Sequence, residues 1–247
     1  MLQRARRQES QRRIQEHVKR LQSVDEVDDR IAHMRDNASN ECIEELARIT
    51  GKPYDFLKSK IDLERDITRE ILKIPNSQAT HDPNIPASLY KTMRTHMLDE
   101  GVNPQSTTLK YKPQSQERHL FATARGIIFM YGYPILRQKI ELYPLLLQTS
   151  EGHQAFTCRH ELWHILLQHD SMSYTANIDS PNADTKYLTS AQEREADIYA
   201  ASKNSRLACA GAIQRCQFGH ADILDKNGHC TQMLTMCELL KRKEELS

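Results

Sequence analysis

The sequence predicts a helix-rich α+β fold. Apolar residues recur every three or four positions from Ile14 to Met34, which is the spacing of one helix face. Further helices, each ended or followed by a Gly or Pro signal, are predicted at 40–50, 54–73 and 86–101. From Thr107 onward the chain changes to short strand-like segments at 108–111, 126–131 and 139–142. We expect these strands to form a small sheet beside a largely helical body.

A Pro/Asn/Asp-rich segment at 81–86 is the strongest candidate for a domain boundary. It divides the chain into a helical N-terminal region, 1–80, and a second domain, 87–247. Residues 1–37 are highly charged, and two readings of them stay open. They form either a solvated helix packed on its own domain, or an arm that docks on a partner or a second copy, as a coiled coil for example, or that binds an anionic surface through its basic residues. Helices at about 204–217 and 230–246 are expected to close the second domain.

Composition excludes several classes of protein. The chain has 247 residues, with 34 basic and 33 acidic side chains and a formal net charge of +1, so it lacks the electrostatic footprint of a nucleic-acid-binding protein. No apolar run approaches ~18 residues, and no apolar segment follows the N-terminal Arg residues. We therefore expect a cytoplasmic chain without a transmembrane segment or secretory signal. Its six Cys residues form no CxxC pair and are expected to stay reduced. The spacing of seven in Cys209/Cys216 and in Cys230/Cys237 predicts small core positions on helices, with a second metal site that includes His220 or His229 as the alternative.

One five-residue stretch contains candidate metal ligands and a candidate base, namely His160-Glu161-Leu162-Trp163-His164. It lies in a predicted helix, 152–169, for which Ser150 offers an N-cap. Positions i and i+4 share a helix face, so the two imidazoles can hold one metal ion. Zinc takes such nitrogens at roughly 2.0–2.1 Å and leaves a position for water, whose proton Glu161 could remove.

The third ligand has two candidates. Asp170 follows His164 by six residues, but it needs a sharp turn after the helix, and Leu167 favours continued helix instead. His169 is expected to meet the last carbonyls of that helix. Glu193 is the stronger candidate, on a second helix at 189–201 that begins with Thr and Ser.

Two side chains near Glu193 complete this expectation. Asp197 is one turn later, where it can accept the free N–H of a ligand His and fix its tautomer. Glu195 points about 160° away from a site that Glu193 faces. The alternative is a capping box between Ser190 and Glu193, with ordinary solvated charge after it.

The two motifs together resemble the gluzincin type of zinc metallopeptidase. The run from Phe156 to Asp170, followed by Glu193-Arg194-Glu195-Ala196-Asp197, is similar to the HtpX-like and CaaX-prenyl-protease-like family and to the ImmA/IrrE-like peptidases. The resemblance covers about 120–202. It implies a zincin-like domain with a small sheet beside the active-site helix, zinc bound by His160, His164 and Glu193, and Glu161 as catalytic base.

The expected function is a zinc-dependent metalloendopeptidase that holds one zinc ion per chain and cleaves protein or peptide substrates. The alternative is a catalytically silent, zinc-binding regulatory protein that acts through its N-terminal helices. Three side chains are candidates for stabilising the oxyanion, and the sequence does not choose among Tyr199, His220 and His229. The polar segment 171–188 is expected to frame the cleft.

Overall fold

The structure is a computed structural model that describes residues 24–113, 121–125, 138–170, 172 and 183–202. Within these residues five helices accompany a three-stranded sheet, which confirms the helix-rich α+β fold. The helices are α1 (Val24–Thr50), α2 (Tyr54–Leu72), α3 (Ala87–Asp99), α4 (Glu151–Leu166) and α5 (Ala183–Ser202). The strands are β1 (Thr108–Tyr111), β2 (Ala122–Arg125) and β3 (Lys139–Leu142), and a short 3₁₀ helix, Pro144–Gln148, leads into α4.

Glycines end two helices where the sequence predicts it. Gly51 after α1 and Gly101 after α3 have φ angles of 66° and 72°, the left-handed conformation that glycine adopts without a Cβ clash. The N-terminal part differs from expectation in one respect. Helices predicted separately at 14–34 and 40–50 are continuous over the described residues of α1, because no Gly or Pro interrupts residues 35–39.

The sheet has the order β1-β3-β2, with β1 parallel and β2 antiparallel to β3. Two predicted strands are confirmed at their predicted positions, 108–111 and 139–142. The predicted strand at 126–131 lies outside the described residues. β2 was missed because Ala122-Thr123-Ala124-Arg125 carries little β-branched or aromatic signal, and its pairing with β3 supplies what the local sequence lacks.

Two apolar clusters form the core. The first joins the sheet to α3, α4 and α5, and it includes the predicted inward residues of α3, namely Leu89, Met93 and Met97. The second packs Cys42, Ile43 and Leu46 of α1 and Leu57 and Ile61 of α2 against Leu188 and Ala191 of α5. These contacts join residues that precede the segment 81–86 to residues that follow it. A domain boundary at this segment therefore stays a prediction, which a truncated chain can test.

Some expectations fall outside the described residues. They concern residues 1–23, the helices at 204–217 and 230–246, and with these His220, His229 and the four C-terminal Cys residues. Among the helices that the structure describes, none is both long enough and apolar enough to span a membrane.

Candidate metal centre

Helix α4 places the two predicted His ligands side by side. Ser150 Oγ accepts a hydrogen bond from His153 N at 3.2 Å, so the predicted N-cap is present. One turn apart on this helix, His160 and His164 have ring centroids 4.5 Å apart and Nε2 atoms 2.8 Å apart. The two imidazoles therefore converge through the same ring nitrogen.

Helix α5 brings Glu193 to the same point. Its Oε2 lies 3.1 Å from His160 Nε2, and its Oε1 lies 3.4 Å from His164 Nε2. The helix begins at Ala183 rather than at Thr189, so Ser190 lies within it and the capping-box alternative does not apply. In the described part of the chain, these three side chains form a group that could hold a metal ion, and Asp170 is not a member of it.

The group is closed on one side and accessible on the other. The His160 side chain is buried, whereas 14% of the His164 side chain and 31% of the Glu193 side chain are exposed. Glu161, the predicted base, follows His160 on α4 and is itself buried. Burial alone would raise the pKa of Glu193, but the neighbouring His164 and His160 outweigh it and hold that pKa well below its ordinary value. Glu193 therefore presents a carboxylate.

Asp197 lies beside His160 in the structure. Its Oδ1 lies 2.7 Å from His160 Nδ1, and both side chains are buried. A carboxylate beside Nδ1 favours the proton on that nitrogen, which leaves the lone pair of Nε2 for the site.

His164 is supported by a residue to which the sequence gave a different role. His169 does not serve as a partner of the last helix carbonyls, because its Nδ1 lies 2.6 Å from His164 Nδ1. The reason is a turn after α4, which ends at Leu166 rather than at 169. Gln168 then adopts a φ of 58°, a left-handed conformation that is uncommon for a residue other than glycine. This turn carries His169 back toward α4.

Glu195 stands behind His169. Its Oε2 lies 2.9 Å from His169 Nε2, Arg65 Nη2 donates to it at 3.0 Å, and Ser39 Oγ donates to its Oε1. Burial would raise the pKa of Glu195, but Arg65 and His169 outweigh it and lower that pKa to about 2. Burial also lowers the pKa of His169 to about 4. A neutral imidazole therefore meets a charged carboxylate.

The sequence also indicates that Glu195 is buried. Glu195 does point away from the metal group, as expected, but it shares a helical stripe with Leu188, Ala191 and Ile198, all of which are buried. An acidic side chain on an apolar stripe must find a buried partner. Nothing local identifies that partner as Arg65 on α2.

Tyr199 is directed toward α1. Its hydroxyl lies 3.1 Å from Ser39 Oγ, and its ring packs on Trp163 with centroids 4.5 Å apart. The hydroxyl thus contacts the Glu195 network, and this placement does not support an oxyanion role. The other two candidates, His220 and His229, lie outside the described residues.

The donor set could hold a metal ion. The distances between its ligand atoms range from 2.8 to 3.4 Å. In a tetrahedral zinc shell two ligand atoms are about 3.3 Å apart, so these distances are compatible with zinc. Asp197 beside Nδ1 of His160 favours a proton on that nitrogen, and Nε2 of His160, Nε2 of His164 and the Glu193 carboxylate converge on one point. Two imidazole nitrogens and a carboxylate at one point are a donor set that binds a divalent metal cation. Comparisons with protein-family models, with curated proteins and with solved structures return no match to this chain.

Proposed function

We propose that this protein is a zinc-dependent metalloendopeptidase. The observation that carries the proposal is the convergence of His160, His164 and Glu193 at one point, with the acidic Glu161 next in sequence to a ligand. Two nitrogens and one carboxylate leave the fourth position of a tetrahedral site to water or substrate, which is typical of catalytic rather than structural zinc. The exposure of His164 and Glu193 supports the same choice, because a substrate must reach the site.

In the proposed reaction each side chain has one task. A zinc ion bound by His160, His164 and Glu193 would polarise the scissile carbonyl and lower the pKa of water. Glu161 takes a proton from the attacking water and delivers it to the leaving amine. Asp197 holds the His160 ring in place, so that its Nε2 stays directed at the site.

Strand β2 is the proposed guide for an extended substrate. In the described sheet β1 and β2 are the two outer strands, and β2 is the one that packs against α4. Phe121, just before β2, has its ring centroid 4.8 Å from that of His153 on α4. A peptide could pair with an outer strand through its main chain, which is a sequence-tolerant way to bind protein substrates.

The decisive experiment replaces Glu161 by Gln in the full chain. The amide retains the shape of the side chain but cannot accept the proton, so Glu161→Gln should keep the fold and about one zinc ion per chain while cleavage is abolished. Zinc is measured by elemental analysis, and cleavage by mass spectrometry of a peptide library under zinc-replete conditions.

Two matched variants separate the metal ligand from its rival. Glu193→Ala should lose most of the zinc, because two His residues alone rarely retain the ion, whereas Asp170→Ala should keep it. The reverse pattern would overturn the ligand assignment. Wild-type protein that binds zinc but cleaves nothing would favour the regulatory alternative, in which the N-terminal helices bind a partner.

A further inference from the structure

A buried line of polar side chains leads from the first two helices to the metal group. Ser39 of α1 and Arg65 of α2 both donate to Glu195, Glu195 contacts His169, and His169 contacts His164. Apart from Ser39 and His164, which are partly buried, every member is buried. Ion pairs and hydrogen bonds in such surroundings are weakened less by water than those at the surface, so donors and acceptors are assigned by following the line from one contact to the next.

The geometry points to His169 as a positioning residue for the metal ligand His164, with Glu195 and Arg65 as the groups that hold His169. The inference rests on the proposed metal centre and adds to it a histidine-to-histidine support that involves helices α1 and α2. A ligand His normally donates its second ring N–H to a carboxylate, a carbonyl or a water. Here the acceptor for His164 is a second imidazole.

The donors and acceptors along the line indicate that His164 donates to His169. An ionised Glu195 can only accept, and it takes protons from Arg65, Ser39 and the Nε2–H of His169. A neutral imidazole has one N–H, so Nδ1 of His169 is then an acceptor. At 2.6 Å from it, His164 Nδ1 must be the donor. The lone pair of His164 Nε2 is left facing His160 Nε2 and Glu193.

A second metal ion is the competing explanation for this cluster. Cys42, His169 and Glu195 also bring one ligand atom each within 4.8 Å of one another. The Arg65 guanidinium, however, already pairs with Glu195 at 3.0 Å, and a metal cation there would face a fixed positive charge. Burial, and next the charge of Glu195, raise the pKa of Cys42 well above its ordinary value, so the thiolate that metals bind is disfavoured.

The direct test is the tautomer of His164 in the full-length protein, read from side-chain ¹⁵N NMR of the metal-free and zinc-loaded forms. We expect a proton on Nδ1 in both forms and zinc on Nε2. A proton on Nε2 of the metal-free protein, or zinc bound through Nδ1, would overturn the assignment. This measurement uses only the wild-type protein, so it decides even where a variant fails to fold.

Two substitutions at one position separate positioning from packing. His169→Leu fills the space but accepts no proton, and we expect it to weaken zinc binding about 10–100-fold in competition with a chelator. His169→Gln offers an amide oxygen to His164 and an N–H₂ group to Glu195, so it should retain most of the affinity. Equal affinity of His169→Leu and wild type would overturn the inference.

Cys42→Ala is the matched control, because it alters the same cluster without removing a member of the line. We expect it to bind zinc as wild type does, with one ion per chain. Two ions per chain in wild type, one of them lost in Cys42→Ala, would establish the second metal site instead. Failure of the proposed function gives a different result. If the protein binds zinc with the expected His164 tautomer but cleaves no peptide, only the peptidase proposal is wrong, and the role of His169 stands.

Discussion

The two imidazoles of the metal group are one helical turn apart, yet different parts of the chain support them. His160 is buried and has the carboxylate of Asp197 2.7 Å from its Nδ1, a contact that joins α4 to α5. His164 is partly exposed and has neutral His169 at its Nδ1. His169 contacts Glu195, and Glu195 pairs with Arg65, which lies 130 residues before it in the chain.

The difference shows how much of the chain each half of the site requires. The contact of His160 with Asp197 requires only the two helices that contain the sequence motifs, α4 and α5. The His164 half also needs α1 and α2, which supply Ser39 and Arg65 to the buried Glu195. The N-terminal helices therefore contribute to the surroundings of the metal group, in addition to any role in binding a partner.

The largest effect is expected from removing residues 1–83, so that the chain starts at Asn84. This truncation takes away Arg65 and Ser39, and it exposes Leu188 and Ala191, which pack against α1 and α2. Loss of both apolar and charge partners should leave the remaining chain aggregated or poorly folded. Solubility, circular dichroism and zinc content measure the outcome.

The opposite outcome has a clear meaning. A soluble fragment that binds one zinc ion would establish the predicted division at 81–86 as a true domain boundary. In that case the contacts of α1 and α2 with α5 would be an interface between two stable units rather than part of one core.

A smaller effect is expected when Arg65 alone is replaced by Leu. Glu195 would then be a buried carboxylate without its cation, which costs about 3–5 kcal/mol of unfolding free energy. Arg69→Leu, one turn later on α2, is the matched control, since Arg69 and Asp66 are 46% and 73% exposed and such pairs contribute roughly 0–1 kcal/mol. Urea unfolding at neutral pH compares the two variants. Similar losses for both would show that the buried pair has no special weight.

Replacement of Asp197 shows how strongly each of the two supports, Asp197 and His169, affects zinc binding. Asp197→Asn keeps an acceptor near His160 Nδ1 but removes the negative charge, and we expect zinc affinity to fall about 10–100-fold. The loss should be at least as large as that of His169→Leu, because Asp197 acts on its ligand with a full charge and His169 with a neutral ring. A chelator competition assay measures both, and a smaller loss for Asp197→Asn would contradict the comparison.

Local patterns predicted the parts of the site that lie on single helices. The i, i+4 spacing placed His160 beside His164, and the same spacing placed Asp197 one turn from Glu193. Ser150 as N-cap and the glycines after α1 and α3 were likewise readable, because capping and helix ends depend on a few neighbouring residues. The start of α5 was missed by six residues, since packing against α1 and α4 extends a helix beyond its own signals.

The sequence by itself determined which side chains share a helix face, and so it identified the metal group once two motif helices were assumed to meet. Only the tertiary structure decided what lies behind that group. The left-handed turn at Gln168 and the approach of α2 to α5 put His169, Glu195 and Arg65 in line. Periodicity reports the direction of a side chain from its own helix, whereas the partner it meets depends on contacts between residues far apart in the chain.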